Sequence, residues 1–131
     1  MSLPYATVIE QFPLGDFAAD QSAWVYTLVK FPRKVKITSV RMSAAKACAA
    51  ADTNYQVFTL QNGANVIATF NNGPVATGMT WAQGAFQTVT PVAAYAVPAA
   101  GDSLKLVVAK TGSGLALAGV VIQLEYIEYD T

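Results

Sequence analysis

The side chains that carry most enzyme chemistry are either missing from this sequence or badly spaced for it. There is no histidine, so the commonest general base, the commonest metal ligand and the usual activator of serine and cysteine nucleophiles are absent. Paired carboxylates offer another route, but Asp16 and Asp20 fall in a predicted loop. Glu125 and Glu128 fall on opposite faces of a predicted strand, because they are three positions apart and side chains of a strand alternate between its faces. We therefore predict no catalytic residue and no enzymatic activity.

The tetrapeptide Gly101-Asp102-Ser103-Leu104 spells the core of the esterase and lipase signature that carries a serine nucleophile. That nucleophile needs a histidine, which this chain lacks. The tetrapeptide also precedes a plain strand pattern. The sequence instead predicts a turn in which Asp102 caps the loop and Leu104 begins an inward face.

Metal ligands are equally scarce. Residues 52–54, Asp-Thr-Asn, imitate the first ligands of a calcium loop, but the glycine and the later glutamate of such a loop are missing. Cys48 is the single cysteine, which leaves too few ligands for zinc and no internal disulfide. We predict no metal and no cofactor. We expect Cys48 to be a small buried hydrophobe in an alanine-rich helical turn over residues 43–51.

The elements that must position these residues are strands, because polar and apolar side chains alternate along most of the chain. Residues 24–30 and 34–41 alternate most clearly, and successive side chains of a strand point to opposite faces. Asn62-Gly63-Ala64-Asn65 has the composition of a hairpin turn. Strands are predicted near residues 5–12, 23–30, 34–42, 54–61, 65–70, 85–90, 93–97, 103–110 and 119–128.

Short strands at regular spacing predict an all-β fold, a single-domain antiparallel β-sandwich over residues 1–131 with residues 1–5 as an N-terminal arm. Apolar residues on the outward faces as well indicate that at least one sheet is covered by another body. These outward apolar residues are Val25, Val29, Val107 and Val121, whereas Lys34, Lys36, Thr38, Gln123 and Glu125 are predicted to be solvated. The predicted core residues are Trp24, Tyr26, Leu28, Val35, Ile37, Phe58, Leu60, Leu104, Leu106, Val108, Ile122, Leu124 and Tyr126.

The composition favours association over solitary solubility. The chain is 53% hydrophobic and 12% charged with a formal net charge of zero, against about 25% charged residues in typical domains. Little repulsion keeps copies apart, and no basic field attracts nucleic acid. No apolar run approaches the roughly 18 residues of a membrane helix, and no signal peptide opens the sequence. We expect self-association or docking, no nucleic-acid or membrane partner, and folding in a reducing cytoplasm.

Charges are placed unevenly. Six of the eight cations lie between residues 30 and 46 with no acid among them, while three of the eight acids lie in the last strand and tail. These charges form either an intramolecular cross-strand pair on solvated faces or the complementary rims of a subunit interface. For the interface, the predicted contacts are Leu3, Pro4 and Tyr5 of the arm, Lys34, Lys36 and Arg41 of the basic strand, and Glu125 and Glu128 of the last strand.

Exposed aromatic side chains support a different interpretation. β-Sandwich modules can hold sugars on such rings, and 11% of this chain is aromatic. Trp81 lies between two glycines in a predicted loop, where it either covers the end of the sandwich or stacks on a ligand. With Tyr95 and Tyr129, Trp81 forms the predicted stacking platform of an alternative function, a carbohydrate- or receptor-binding module.

The order of several segments resembles a known class of proteins. The basic strand Lys34-Val-Lys-Ile-Thr-Ser-Val-Arg41 leads through an alanine-rich connection, ending at residues 51–55, into Gln56-Val-Phe-Thr-Leu60. Ala99-Ala-Gly-Asp-Ser-Leu-Lys-Leu106 and Lys110-Thr-Gly-Ser-Gly-Leu115 then precede a final β run. In this order, over roughly residues 23–128, the chain resembles the small jelly-roll structural proteins of tailed bacteriophage virions, of the capsid decoration (cement) or head-fibre type.

This resemblance implies an eight-stranded jelly roll that forms a homotrimer and binds the major capsid protein. The protein would then be made in the host cytoplasm, sit on the exterior of the virion capsid and strengthen the shell without catalysis. Similar folds occur in tail and fibre proteins, and a scaffold domain of a tail protein shares all of these sequence features.

Overall fold

The structure is a computed structural model that describes residues 6–17, 24–71, 73, 80–112, 114 and 116–128. In these parts of the chain every regular element is a strand. The eight strands are β1 (Thr7–Phe17), β2 (Trp24–Lys30), β3 (Val35–Ser43), β4 (Tyr55–Asn62), β5 (Asn65–Asn71), β6 (Gln87–Val89), β7 (Ser103–Thr111) and β8 (Leu117–Glu128).

The strands form two antiparallel sheets of four, which confirms the all-β sandwich predicted from the alternation. One sheet has the order β1-β8-β3-β6 and the other has the order β2-β7-β4-β5. The first strand pairs with the eighth, the second with the seventh, the third with the sixth and the fourth with the fifth. The chain therefore follows one long antiparallel ribbon of paired strands, whose tip is the hairpin turn at Gly63. Successive pairs of the ribbon belong alternately to one sheet and to the other.

The two sheets enclose a single hydrophobic core. The aromatic rings of Phe17 and Phe58 meet edge to face at 5.4 Å between centroids, and Phe17 also contacts Tyr26, which brings β1 over β2. Tyr26 and Leu28 are half-buried against the core, and the side chain of Trp24 lies outside the described residues. The other predicted inward residues are all buried, namely Val35, Ile37, Phe58, Leu60, Leu104, Leu106, Val108, Ile122, Leu124 and Tyr126.

The helical turn predicted over residues 43–51 is wrong. The segment forms no helix, and Cys48 exchanges two 2.8 Å backbone hydrogen bonds with Trp81. Nearby, Ala45 N–H donates to the carbonyl of Ala118, and the carbonyl of Ala44 accepts from Gly84. Because these partners are remote in sequence, local alanine propensity loses to backbone pairing.

The strand predicted over residues 93–97 is also wrong. A turn stands there instead, closed by Tyr95 N–H donating to the carbonyl of Val92. Beyond the turn, the carbonyl of Ala96 accepts from Ile37 N–H at 2.8 Å, so the segment satisfies part of the edge of β3 without forming a strand.

Gln123 is buried, with 8% of its surface exposed, although the alternation predicted it to be solvated. It sits on the outward face of the central strand β8, between Gln11 of β1 and Arg41 of β3. Gln11 Nε2 donates a 2.8 Å hydrogen bond to Gln123 Oε1. Long polar neighbours on both adjacent strands therefore cover Gln123, an effect that a single strand pattern does not reveal.

Candidate docking surface

One lateral side of the sandwich is built, in the described part of the chain, from strands and segments that contain no charged residue. It is formed by the edge strands β5 and β6, which contact each other across the sandwich, and by the segments that flank β6. We call residues 65–71 together with residues 85–98 the uncharged side. Its composition is Ala, Asn, Gln, Ile, Phe, Pro, Thr, Tyr and Val only.

The segment after β6 spans the two sheets and gives this side its shape. Val92 N–H donates a 2.8 Å hydrogen bond to the carbonyl of Ile67 in β5. The carbonyls of Ala96 and Pro98 then accept from Ile37 and Val35 of β3. Backbone hydrogen bonds to both sheets therefore hold the segment in place, so its side chains are presented from a fixed backbone.

Large hydrophobic side chains project into solvent from the segments that flank β6. Phe86 is 42% exposed, Val92 is 46% exposed and Tyr95 is 42% exposed. The hydrogen bond from Tyr95 N–H to the carbonyl of Val92 brings these two residues together on one turn. Apolar patches with depleted charge are typical of the centres of protein–protein interfaces. The uncharged side is therefore the candidate functional site of this protein.

A simple signal in the sequence marks this surface and was missed by the search for alternation and motifs. Residues 53–101 form an unbroken run of 49 residues without a single Asp, Glu, Lys or Arg. The run supplies β4, β5 and β6, and the ribbon topology places β5 and β6 at the same side. Charge depletion along the chain thus becomes charge depletion on one side of the fold.

The opposite lateral side is formed by the edge strands β1 and β2, and we call it the β1–β2 side. Ile9 is 57% exposed there and Val25 is 62% exposed. Glu10 is half-buried and accepts a 2.8 Å hydrogen bond from the Tyr126 hydroxyl. Asp16, predicted to lie in a loop, belongs to β1 and accepts a 2.7 Å hydrogen bond from Gly119 N–H. Both carboxylates therefore accept hydrogen bonds from β8, although Asp16 is exposed.

The predicted interface charges are divided by the structure. Arg41 and Glu125 form an intramolecular salt bridge of 3.3 Å across β3 and β8, with side chains 31% and 28% exposed. This is the cross-strand pair that was one of the two interpretations. Lys34 and Lys36 are exposed near the turn between β2 and β3, and Glu128 is half-buried at the end of β8. Their interface role stays a prediction, and the arm residues Leu3, Pro4 and Tyr5 lie outside the described residues.

The stacking role predicted for Trp81 is wrong, because its ring lies in the core. Trp81 is 0% exposed and its ring lies 5.9 Å from that of Phe58. Its Nε1 donates a 3.5 Å hydrogen bond to the carbonyl of Asn71. Of the predicted platform only Tyr95 is exposed in the described part of the chain, and Tyr129 lies outside that part.

The Gly101-Asp102-Ser103-Leu104 tetrapeptide is the predicted turn. Asp102 Oδ2 accepts hydrogen bonds from Ala99 N–H at 2.9 Å and from Asn62 Nδ2 at 3.0 Å. These two bonds lower the pKa of the Asp102 carboxyl. Leu104 is fully buried at the start of β7, as predicted.

Cys48 is buried, as predicted, at the end of the sandwich where β1 ends and β8 begins. It lines an open pocket of about 500 Å³, where the other lining residues are Asp16, Phe17, Lys46, Ala47, Ala116, Leu117 and Ala118. Among the described residues, no three Cys, Asp or Glu side chains are grouped to hold a metal ion. Nor do those residues include a helix with the length and apolar character needed to cross a membrane.

Comparisons with protein-family models, with curated proteins and with solved structures found no match for this chain.

Proposed function

We propose that this chain is a non-enzymatic virion structural protein, a capsid decoration (cement) subunit that binds the outer shell and stabilises it as an oligomer. The observation that carries the proposal is the uncharged side, from which Phe86, Val92 and Tyr95 project. An apolar surface of this kind loses unfavourable contact with water when a partner covers it. Such a surface contributes to binding in a subunit that docks on a larger body, whereas in a solitary soluble domain it only favours aggregation.

The strand order supports the resemblance to jelly-roll virion proteins. A jelly roll is a double-sheet sandwich of eight strands built from two Greek keys. Folding a ribbon of four antiparallel pairs across two sheets gives the orders β1-β8-β3-β6 and β2-β7-β4-β5 that this chain has. We therefore assign the sandwich to the jelly-roll type as part of the proposal.

The proposed mechanism is bridging between capsid subunits. Each copy buries apolar surface against neighbours, and many weak contacts on a repetitive shell multiply into a large stabilisation. Exposed charges at the rim, Lys34 and Lys36 above all, set the orientation on the major capsid protein. Reversal of both charges is expected to weaken shell binding while the domain stays folded.

The test is co-sedimentation of the purified protein with capsid shells, after its mass has been measured by light scattering. We expect saturable binding to shells and a higher shell melting temperature with bound protein. Phe86→Asp is expected to reduce binding, and Lys46→Ala, a change at an exposed residue outside the uncharged side, is the control. Absence of saturable binding by the folded wild-type protein contradicts the proposal.

A carbohydrate- or receptor-binding module of a tail or fibre is the second candidate, and the exposed ring of Tyr95 favours it. Half-exposed aromatic rings can stack on sugar faces. A glycan array separates the two functions, because saturable sugar binding that Tyr95→Ala abolishes belongs to the second candidate alone.

A further inference from the structure

Two Asn-Gly dipeptides occur in this sequence, Asn62-Gly63 and Asn72-Gly73. Asparagine followed by glycine is the pair most prone to spontaneous deamidation, because glycine has no side chain to shield its backbone nitrogen from the preceding side-chain amide. Asparagine is counted among the heat-labile residues of proteins. The surroundings of the two glycines differ, and this difference distinguishes the two dipeptides.

Gly63 has far more room than Gly73. Gly63 is exposed at the hairpin turn between β4 and β5, with φ +61°, and a Cβ placed on it would meet no atom within 4 Å. Gly73 is buried, and a Cβ placed on it would collide with the carbonyl of Ala51 and the ring of Tyr55. Asn72 itself lies outside the described residues. Attack by a glycine nitrogen on the preceding side chain requires the backbone to rotate, and this rotation is freer at Gly63.

The side chain of Asn62 is held by the turn that precedes β7. Its Nδ2 donates a 3.0 Å hydrogen bond to Oδ2 of Asp102, which also accepts a 2.9 Å hydrogen bond from Ala99 N–H. Asn62 and Asp102 are both half-buried. Departure of Nδ2 from Asn62 requires its hydrogen bond to Asp102 to break. The bond therefore opposes deamidation, by the free energy that it contributes.

We propose that Asn62 is a spontaneous deamidation site of the folded protein, that it reacts faster than Asn72, and that its hydrogen bond to Asp102 limits its rate. The backbone nitrogen of Gly63 loses its proton and attacks Cγ of Asn62. The new N–Cγ bond forms as the Cγ–Nδ2 bond breaks, and Nδ2 takes up a proton and leaves as ammonia. Water then opens the succinimide ring at either carbonyl and leaves aspartate or isoaspartate at this position.

Water is the co-reactant, so the reaction needs no enzyme and no oxidant. It is also independent of the proposed capsid role. A protein that fails to bind shells can still deamidate at Asn62, and a shell-binding protein that keeps its Asn62 amide removes this inference alone.

Deamidation replaces an attractive contact by a repulsive one. The product carboxylate has no N–H to donate, and it stands beside the Asp102 carboxylate where the amide stood. At this point β4 ends and β7 begins, and Asn62 is in register with Leu104. The reaction is therefore expected to weaken the contact between the hairpin and the turn at residues 99–102.

The test is incubation of the folded protein in mildly alkaline buffer, with peptide mapping by mass spectrometry to follow the two Asn-Gly sites separately. Asn62 is expected to deamidate faster than Asn72. In urea the fold no longer distinguishes the sites, so the two rates are expected to converge. Equal rates in the folded protein, or a faster reaction at Asn72, would overturn the inference.

Asp102→Ala tests the role of the hydrogen bond. The variant is expected to raise the rate at Asn62 about threefold or more and to leave Asn72 unchanged, because Asn62 alone loses its partner. Gly84→Ala is the matched control, since it strains a turn outside this contact and reports the effect of lower stability alone. An unchanged rate at Asn62 in Asp102→Ala, or an equal rise in Gly84→Ala, would contradict the assigned role of Asp102.

Asn62→Asp reproduces one product of the reaction. Its urea unfolding midpoint at neutral pH is expected to fall below that of wild type. Addition of Asp102→Asn exchanges the amide and the carboxylate, and it is expected to recover most of the loss. A wild-type midpoint in Asn62→Asp, or no recovery in the double variant, would overturn the inferred repulsion.

Discussion

The hydroxyl of Tyr126 donates a 2.8 Å hydrogen bond to Oε1 of Glu10, which ties the last strand to the first on the inward face of their sheet. Tyr126 is 5% exposed, and its ring meets that of Phe31 edge to face. Burial raises the pKa of Tyr126, and the hydrogen bond and negative charge of Glu10 raise it further.

Tyr126→Phe is expected to lower the free energy of unfolding at pH 7 by about 1–2 kcal/mol, because the half-buried Glu10 carboxylate loses its donor. The raised pKa adds a pH dependence. The folded phenol stays protonated above the ordinary pKa near 10, so its contribution is complete below that pH and is lost as pH rises. Urea unfolding at pH 7 and pH 11 should show a smaller alkaline loss in the variant than in wild type. Tyr95→Phe, at an exposed tyrosine, is the control.

The ionised Asp102 carboxylate is expected to raise the free energy of unfolding at neutral pH, and this stabilisation is expected to be lost in acid. Its folded pKa is lowered, so the stabilisation is present above the unfolded pKa near 3.9 and is lost as pH falls through the folded pKa. Asp102→Ala should destabilise at pH 7 by on the order of 1 kcal/mol, through the lost bonds to Asn62 and Ala99. Equal acid sensitivity in wild type and variant would contradict this assignment.

Trp81→Ala is expected to cost about 3–5 kcal/mol of stability, because it empties a fully buried site beside Phe58. Phe86→Ala removes a ring that is 42% exposed, and a cost below about 1 kcal/mol is expected. Thermal unfolding of both variants measures the contrast. Similar melting temperatures for the two would mean that Trp81 does not pack in the core.

Gly119→Ala is expected to be far more costly than Gly84→Ala. Both glycines have positive φ, +57° and +68°, so alanine pays a backbone strain of about 1–2 kcal/mol at either position. At Gly119 the new Cβ would also lie 2.6 Å from Cβ of Ala45, whereas nothing lies within 4 Å at Gly84. Denaturant midpoints of the two variants isolate the steric part by difference. Equal midpoints would show that the backbone around Ala45 moves away from the new Cβ at little cost in stability.

The Arg41–Glu125 pair is expected to be a local contact with little influence on assembly. Both side chains are about a third exposed, so a double-mutant cycle should give a coupling of roughly 0.2–1 kcal/mol that shrinks in high salt. Light scattering of Arg41→Ala should give the wild-type mass. A drop to the monomer mass would contradict this prediction and would place Arg41 and Glu125 in the subunit interface.

Alternation predicted correctly those strands in which inward apolar residues alternate with outward residues along the strand itself. Phe58, Leu60, Leu104 and Leu106 lie inward because each alternates with residues that face out, and no distant partner is needed to place them. Alternation also set the all-β class. It failed for residues 93–97, which form a turn instead of a strand. The carbonyl of Ala96, just after that turn, accepts a hydrogen bond from Ile37 N–H of β3.

The misplaced residues depend on partners that are remote in sequence. Cys48 is in a backbone bridge with Trp81 and not in a helix, and Trp81, paired in that bridge, is buried against Phe58. The docking surface was missed for a different reason. A run without charge has no periodicity and no motif, and it becomes a surface only when β5 and β6 meet at one side.

The ribbon topology has a consequence for how the protein is made. In each sheet a late strand lies between two early ones, β8 between β1 and β3 and β7 between β2 and β4. Thr7 of β1, for example, pairs with Ile127 of β8, which is synthesised 120 residues later. At roughly 5–20 residues per second, synthesis of the stretch between β2 and β7 takes on the order of ten seconds, during which β1 and β2 have no neighbour in their sheets. The first sheet therefore cannot close before β8 has been made and the second cannot close before β7 has been made, and folding is expected to be slow because these contacts join segments far apart in the chain.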